Sequence, residues 1–282
     1  DDEIHTIFRR FPFHELDREA ILEDNPIARV DTYDEYIFVI LHFPKYDTKT
    51  RQYIKNEFDI FLSREYLIMF RYHESAAVDE LHDIYKNKEL SEKKTLSTGY
   101  LLYDMIDLML DKTLRTLDRF SRDMIALEKR IVSRGNKAQV IRDIMVKKRN
   151  IIALKHMITP QQRVFRILEQ RMNALYEDSL ELYFENLEDK VDKIVAEIEL
   201  IHENIESLEE TMKSLFDLET NTTIKYLTYF SAFMLPLTLV TSFFGMNIAS
   251  LPFRDDVVFV AIAVFIVITA WLTYILAKYL DR

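Results

Sequence analysis

Between residues 221 and 245, small, hydroxyl-bearing and amide side chains recur at intervals of three or four positions. At that spacing they share one face of a helix, and we call this set the polar stripe. Its members are Asn221, Ile224, Thr228, Ser231, Leu235, Thr238, Ser242 and Gly245. The hydroxyl oxygens of Thr228, Ser231 and Thr238 can hydrogen-bond water or a hydrated ion, and none of them carries a charge.

Apolar side chains interrupt the polar stripe at Ile224 and Leu235, and Leu227 lies beside it. If copies of this helix surround a water-filled pore, these three residues form constrictions that can close by dewetting. Such a pore requires an oligomer, because one helix cannot enclose it. Small and hydroxylated residues also occur where membrane helices only pack together, so the stripe by itself leaves that alternative open.

Two charge-free segments, 226–244 and 257–277, predict membrane spans at about 226–245 and 257–277. At about 1.5 Å per residue the second run is about 32 Å long, enough to cross a hydrocarbon core of about 30 Å. The segment between the spans is short, so the two helices form a hairpin and both chain ends lie on the same side. Together, residues 221–282 are the predicted transmembrane domain.

Positive residues before the first span and after the second indicate the orientation of the hairpin. They are Lys213, Lys225, Lys278 and Arg282. Because cytoplasmic flanks carry an excess of Lys and Arg, we expect both termini in the cytoplasm and the connecting loop outside. The predicted location is the cell inner membrane.

Two heptad patterns predict long helices before the spans. The first seam is Ile106, Leu110, Thr113, Leu117, Phe120, Met124, Leu127 and Ile131. The second is Val191, Ile194, Ile198, Ile201, Ile205, Leu208, Met212 and Leu215. No Gly or Pro follows before Pro236, so the last helix is predicted to run unbroken into the first span. Residues 95–220 are therefore assigned to a helical coiled-coil and stalk region.

The first 94 residues mix strand and helix signals and predict an α+β domain. Segments 36–43, 58–62 and 66–72 are rich in β-branched and aromatic residues and have strand-like lengths. Segments 13–23 and 77–86 are predicted to form short helices.

Composition excludes several functions. The chain has no cysteine, so it has no disulfide, thiolate metal site or cysteine nucleophile. Its net charge of −10 disfavours nucleic acid, which requires a basic face. No phosphate-binding glycine loop or His-Glu-x-x-His motif is present, so no enzyme and no organic cofactor are predicted. The many glutamates of the stalk form either a solvated face or a cation-attracting ring.

The first span ends in Phe244-Gly245-Met246-Asn247, after a segment that contains Met234-Leu235-Pro236-Leu237-Thr238. Gly-Met-Asn between two C-terminal spans resembles the CorA family of magnesium transporters. The segment from Ala28 to Phe38 is also similar to an early strand of that family. The family commonly has Tyr before the motif, where this chain has Phe244.

The resemblance implies a funnel-shaped homopentamer in the lipid bilayer that carries Mg²⁺ down its electrochemical gradient, with cobalt or nickel also passed. Gly245, Met246 and Asn247 would ring the outer entrance as a selectivity filter. The family's pore positions fall on Asn221, Ile224, Leu227, Thr228, Leu235, Thr238 and Asn247.

The family closes its pore when cytosolic Mg²⁺ bridges carboxylates of neighbouring subunits. The matching position here is Asn186, so the neighbouring acids Glu185, Glu188 and Asp189 are the candidate regulatory ligands. Two alternatives stay open: a zinc transporter of the same family, and a membrane-anchored coiled-coil protein that transports nothing. No histidine lies in either predicted span, so a desolvating zinc site is not evident.

Overall fold

The computed structural model describes residues 2–23, 27–86, 97–132, 137–176, 180–245 and 255–280. The chain forms two compact units, Asp1–Glu209 and Glu210–Arg282. The first unit holds a four-stranded sheet and most of the helices. The second consists of the end of one long helix and the C-terminal helix.

The sheet is an antiparallel meander in the order β1-β2-β3-β4. Its strands are β1 Arg29–Thr32, β2 Ile37–Asp47, β3 Gln52–Leu62 and β4 Leu67–Arg71. The long central hairpin pairs Ile37 with Leu62 at one end and Asp47 with Gln52 at the other. The predicted strands are present, and β2 and β3 extend further toward their common turn than the apolar runs indicated.

One face of the sheet is covered by the two N-terminal helices, α1 Asp2–Arg10 and α2 Glu15–Leu22. Its core contains Ala20 and Ile21 of α2 and a cluster of sheet and loop residues: Tyr36, Phe38, Ile40 and Phe61. The helix α2 matches the segment predicted at 13–23, whereas α1 was not predicted. It packs Ile4 and Phe8 against this core, and the helical spacing of Ile4, Ile7 and Phe8 was a signal in the sequence that the prediction overlooked.

The other face of the sheet packs on long helices. After α3 Ala76–Lys86 these are α4 Thr98–Val132, α5 Lys137–Ile158 and α6 Gln161–Tyr176. Alternate strand residues such as Leu41, Phe58 and Ile60 are fully buried there. The side-chain amide of Gln161 satisfies two backbone groups of β2. Its oxygen accepts a hydrogen bond from the His42 N–H at 3.1 Å, and its nitrogen donates to the His42 carbonyl at 2.7 Å.

The first heptad seam is buried as predicted, and so is the second except for Leu208 and Leu215, which are half-buried. All eight residues of the first seam, on α4, are at most 5% exposed. On α7, Glu181–Gly245, five of the eight are nearly inaccessible: Val191, Ile194, Ile198, Ile201 and Ile205. The helix α7 continues past Pro236, so the prediction of one unbroken helix is confirmed. The last helix, α8, runs Asp255–Leu280 and contains the second predicted span.

Candidate functional site

All eight residues of the polar stripe lie on the last part of α7, within the second unit. Seven of them are exposed in the single chain, and Ser231 is half-buried. Leu227 is 62% exposed and the apolar members Ile224 and Leu235 are 54% and 69% exposed. An exposed row of small and polar groups with apolar neighbours can contact water or further copies of the chain.

The hydroxyls of the stripe are oriented by their own helix. Thr228 donates to the Ile224 carbonyl at 2.8 Å, and Thr238 donates to the Met234 carbonyl at 2.9 Å. Because each hydroxyl has only one proton, its outward side offers lone pairs. The stripe therefore presents acceptors, which match the outward-pointing hydrogens of water around a cation.

A different face of α7 is partly buried. Half-buried residues recur there at helical spacing: Tyr229, Ala232, Phe233, Pro236 and Val240. In α8 the side chain of Thr269 is only 7% exposed, although most of its described neighbours are exposed. The half-buried side chains of α7 thus lie on a different face from the polar stripe, which is mostly exposed.

Among the described residues, one helix is long and apolar enough to cross a membrane, namely α7, whose qualifying segment lies in Glu181–Phe243. The described side chains of α8 include a shorter apolar run, Val260–Ile275. At about 1.5 Å per residue, the 26 residues of α8 would extend about 39 Å.

Of the predicted filter residues, Gly245 is the last residue of α7, and a Cβ placed there would meet no atom of the described residues within 4 Å. Met246 and Asn247 lie outside the described residues. Two acids extend the stripe backwards: Glu210, which was predicted only as one of the stalk glutamates, and Asp217, which was not singled out. Glu210 and Asp217 are exposed and precede Asn221 by eleven and four positions, which places them on the same face. Extending the same interval toward the N-terminus would have found them.

The candidate regulatory acids are not gathered within one chain. Glu185 and Asp189 are exposed, while Glu188 forms an ion pair with Arg166 at 3.1 Å. In the part of the chain that the structure describes, no group of three or more metal-binding side chains is suited to hold an ion. A metal at these positions would need ligands from elsewhere.

Ion pairs attach α7 to the helices beside it in the first unit. Lys190 contacts Asp107 at 2.5 Å and Asp111 at 2.8 Å. Partial burial opposes the charged lysine, but the two carboxylates outweigh it and raise the pKa of Lys190. Glu209 contacts Lys148 at 2.6 Å. Part of the acidic face of α7 therefore pairs with a neighbouring helix, which neither interpretation of that face, a solvated surface or a cation-attracting ring, had predicted.

Comparison with known proteins gives a consistent result. The family model described as "CorA-like Mg2+ transporter protein" matches residues 1–282. The cobalt/magnesium transport protein CorA of Thermotoga maritima is 25% identical over 252 residues, which cover 89% of this chain and 71% of the relative.

Two solved structures share the fold. The complete CorA magnesium transporter of Methanocaldococcus jannaschii aligns with a TM-score of 0.81 at 18% identity, covering 96% of this chain and 86% of that one. The ZntB cytoplasmic domain of Vibrio parahaemolyticus aligns with a TM-score of 0.60 at 17% identity, covering 73% and 80%. The alignment with the complete transporter confirms the predicted α+β domain followed by long helices and a C-terminal helix.

The match over the whole length also confirms the resemblance that was drawn from the Gly-Met-Asn motif and the segment before it. This chain belongs to the family of CorA-like Mg2+ transporter proteins, which are membrane transporters of divalent cations.

Proposed function

We propose that the chain is a channel-type transporter that passes hydrated Mg²⁺ down its electrochemical gradient. Copies of α7 would surround a central pathway with their polar stripes facing it. One observation carries this proposal: the stripe is open in the single chain, and the hydroxyls of Thr228 and Thr238 present their lone pairs outward.

The chemistry of the stripe favours a cation that keeps its water. Magnesium dehydrates reluctantly and is usually bound with several waters in place. The water molecules around it donate hydrogen bonds outward, and threonine hydroxyls that already donate to the backbone can only accept. Asn221 and Asn247 would add amide oxygens at the two ends of the pathway. Cobalt and nickel, as divalent ions, are expected to pass as well.

The driving force follows from charge. An inside-negative potential of about 100 mV favours inward movement of a divalent ion by about 4.6 kcal/mol, twice the value for a single charge. Transport would therefore need no nucleotide. The apolar members Ile224, Leu227 and Leu235 would close the pathway by dewetting when the copies of α7 move together.

The remaining expectations form part of the same proposal. The assembly is a homopentamer in the inner membrane, with both termini in the cytoplasm. Residues 1–94 and 95–220 lie in the cytosol, and residues 221–282 form the transmembrane domain. Cytosolic Mg²⁺ closes the pathway by bridging subunits near Glu185 and Asp189, which are exposed and have space for a partner copy. The third candidate ligand, Glu188, would first have to leave Arg166.

A pair of threonines provides the test. Thr228 is in the polar stripe, and Thr222 donates to the Leu218 carbonyl at the same 2.8 Å distance. Six residues separate them, which turns Thr222 about 120° away on the helix. In purified protein in liposomes, stopped-flow Mg²⁺ uptake should fall about 3- to 10-fold in Thr228→Val, the equivalent of one lost hydrogen bond.

The control variant Thr222→Val should keep uptake within about twofold of the parent. Equal losses in both variants would contradict the assignment of the pathway to the stripe. Uptake of Zn²⁺ that exceeds uptake of Mg²⁺ would support the zinc alternative, and uptake of neither ion would support a protein that only anchors a coiled coil. Asn247→Ala tests the filter in the same assay and is expected to abolish uptake.

A further inference from the structure

A carboxyl group is buried in the layer between the sheet and α2. Asp59, in the middle of β3, is 0% exposed. It lies two residues before Phe61, which packs against Ala20 and Ile21 of α2, and alternate strand residues share a face. Its cross-strand partners are Ile40 on β2 and Phe70 on β4. The surroundings of this carboxyl are thus mainly apolar.

A second acid lies on the same face of the same strand. Glu57 is 3% exposed and is opposite His42 in the β2–β3 register. Its carboxylate is 3.4 Å from His42 Nε2 and 2.9 Å from the Lys55 ammonium. Lys55 is therefore the ion-pair partner of Glu57, and Asp59 has no cation at contact distance among the described residues.

Other elements bring few compensating charges to Asp59. On β1, Arg29 is paired with Asp31 at 2.8 Å. On α2, the buried Asp17 is bonded to the hydroxyls of Tyr33 and Tyr36, and Arg18 lies at the surface against His5 of α1. After β4, the Tyr72 hydroxyl donates to the Ile21 carbonyl of α2 and also favours the ionised form of Asp59.

These surroundings determine the protonation of the group. Burial, and then the neighbouring charge of Glu57, raise the pKa of Asp59 to about 8, against the smaller effects of Tyr72, Lys55 and Arg29. A protonated Asp59 adds no charge to the layer. An ionised one would place two carboxylates on the same face of one strand, in a region that excludes water.

We infer that Asp59 is a proton-binding site of the first unit, and that loss of its proton weakens the packing of α2 on the sheet. When α2 opens, water reaches Asp59 and its pKa returns toward the ordinary value of 3.8. The closed form therefore binds one more proton than the open form between about pH 4 and about pH 8. Its stability relative to the open form falls with rising pH over that window and is constant above it.

Infrared spectroscopy of the full chain in detergent tests the proton itself. Between about pH 5 and about pH 10, the carbonyl stretch of a protonated carboxylic acid should disappear with a midpoint near 8. Asp59→Asn should lack this band, and Asp118→Asn, which removes an exposed acid on α4, should retain it. A band that is unchanged in Asp59→Asn, or the absence of any such band in the parent, overturns the inference.

Hydrogen exchange tests the consequence for α2. After correction for intrinsic exchange, protection of the α2 amides should fall by up to about tenfold per pH unit below the midpoint in the parent and stay constant in Asp59→Asn. Equal slopes in the two proteins overturn the inference. If Asp59→Asn does not fold, Glu57→Gln is measured instead. Removal of that charge should move the infrared midpoint of Asp59 to lower pH, and an unchanged midpoint overturns the inference. Neither measurement involves an ion gradient, so both are independent of the proposed transport function.

Discussion

At the scale of single residues, the first unit depends on buried polar groups that have specific partners. Asp17 is 1% exposed and accepts hydrogen bonds from Tyr33 at 2.8 Å and Tyr36 at 2.7 Å. Tyr36 in turn accepts from the amide of His14, the residue that caps α2, at 2.8 Å. Three side chains thereby join the start of α2 to the segment between β1 and β2.

Replacing Tyr36 with Phe tests this connection. The change removes one of the two hydrogen bonds to a buried carboxylate, so we expect the free energy of unfolding to fall by about 1.5–3 kcal/mol. Thermal unfolding of the full chain in detergent, followed by circular dichroism, measures the change. Tyr46→Phe is the matched control, since Tyr46 is 45% exposed. If both variants unfold at the same temperature, the hydroxyl of Tyr36 does not contribute as we describe.

At the scale of elements, glycine has opposite roles at two helix ends. Gly99, near the start of α4, lies where the end of α6 and the residue before α7 approach it. A Cβ there would be 2.9 Å from the Tyr176 ring and 3.0 Å from the Met172 methyl group, and it would overlap Leu180. Gly245, at the end of α7, has open space around it.

These surroundings predict different outcomes for the two alanine variants. Gly99→Ala should destabilise the chain by about 1–3 kcal/mol, because packed side chains must move to admit a methyl group. Gly245→Ala should leave stability unchanged or slightly higher, since alanine is the better helix former. Thermal unfolding of both proteins checks this expectation. If Gly245→Ala loses transport but keeps its stability, the loss is due to a change in the proposed filter. If Gly245→Ala is destabilised, the position is more crowded than we describe.

At the scale of the whole molecule, apolar side chains on both helices of the second unit are open to the surroundings. Phe230 and Leu239 on α7 are 61% and 69% exposed, and Val267 and Trp271 on α8 are 66% and 63% exposed. A water-soluble monomer rarely presents so much apolar surface. In a membrane transporter such residues contact lipid or further copies of the chain.

The proposed pathway requires several copies, which gives a direct expectation about mass. Native mass spectrometry of detergent-solubilised protein should show five copies of the 33.7 kDa chain, because one α7 cannot surround an ion and the family resemblance implies a pentamer. A monomer or dimer that still transports Mg²⁺ in liposomes would contradict the central pathway. The variant Thr222→Val, altered outside the stripe, should assemble like the parent.

Most of what the sequence alone determined came from local periodicity. Spacings of three and four residues identified both heptad seams, the unbroken α7 and the polar stripe, because a regular helix converts spacing into a shared face. Apolar runs identified β2, β3 and β4. The same spacing is present in Ile4, Ile7 and Phe8 of α1, a helix that was not predicted, and only the structure shows that Phe8 packs against Phe13 and Phe61.

Only the tertiary structure decided which polar and charged groups contact each other. Gln161 binds the backbone of His42 from 119 positions away in the sequence, and Lys190 on α7 pairs with Asp107 and Asp111 on α4. Asp59 in the sequence is one of many acids, and its isolation comes from the strands and the helix packed around it. Burial and charge compensation are properties of neighbours in space, and long-range contacts bring together residues whose spacing along the chain carries no signal.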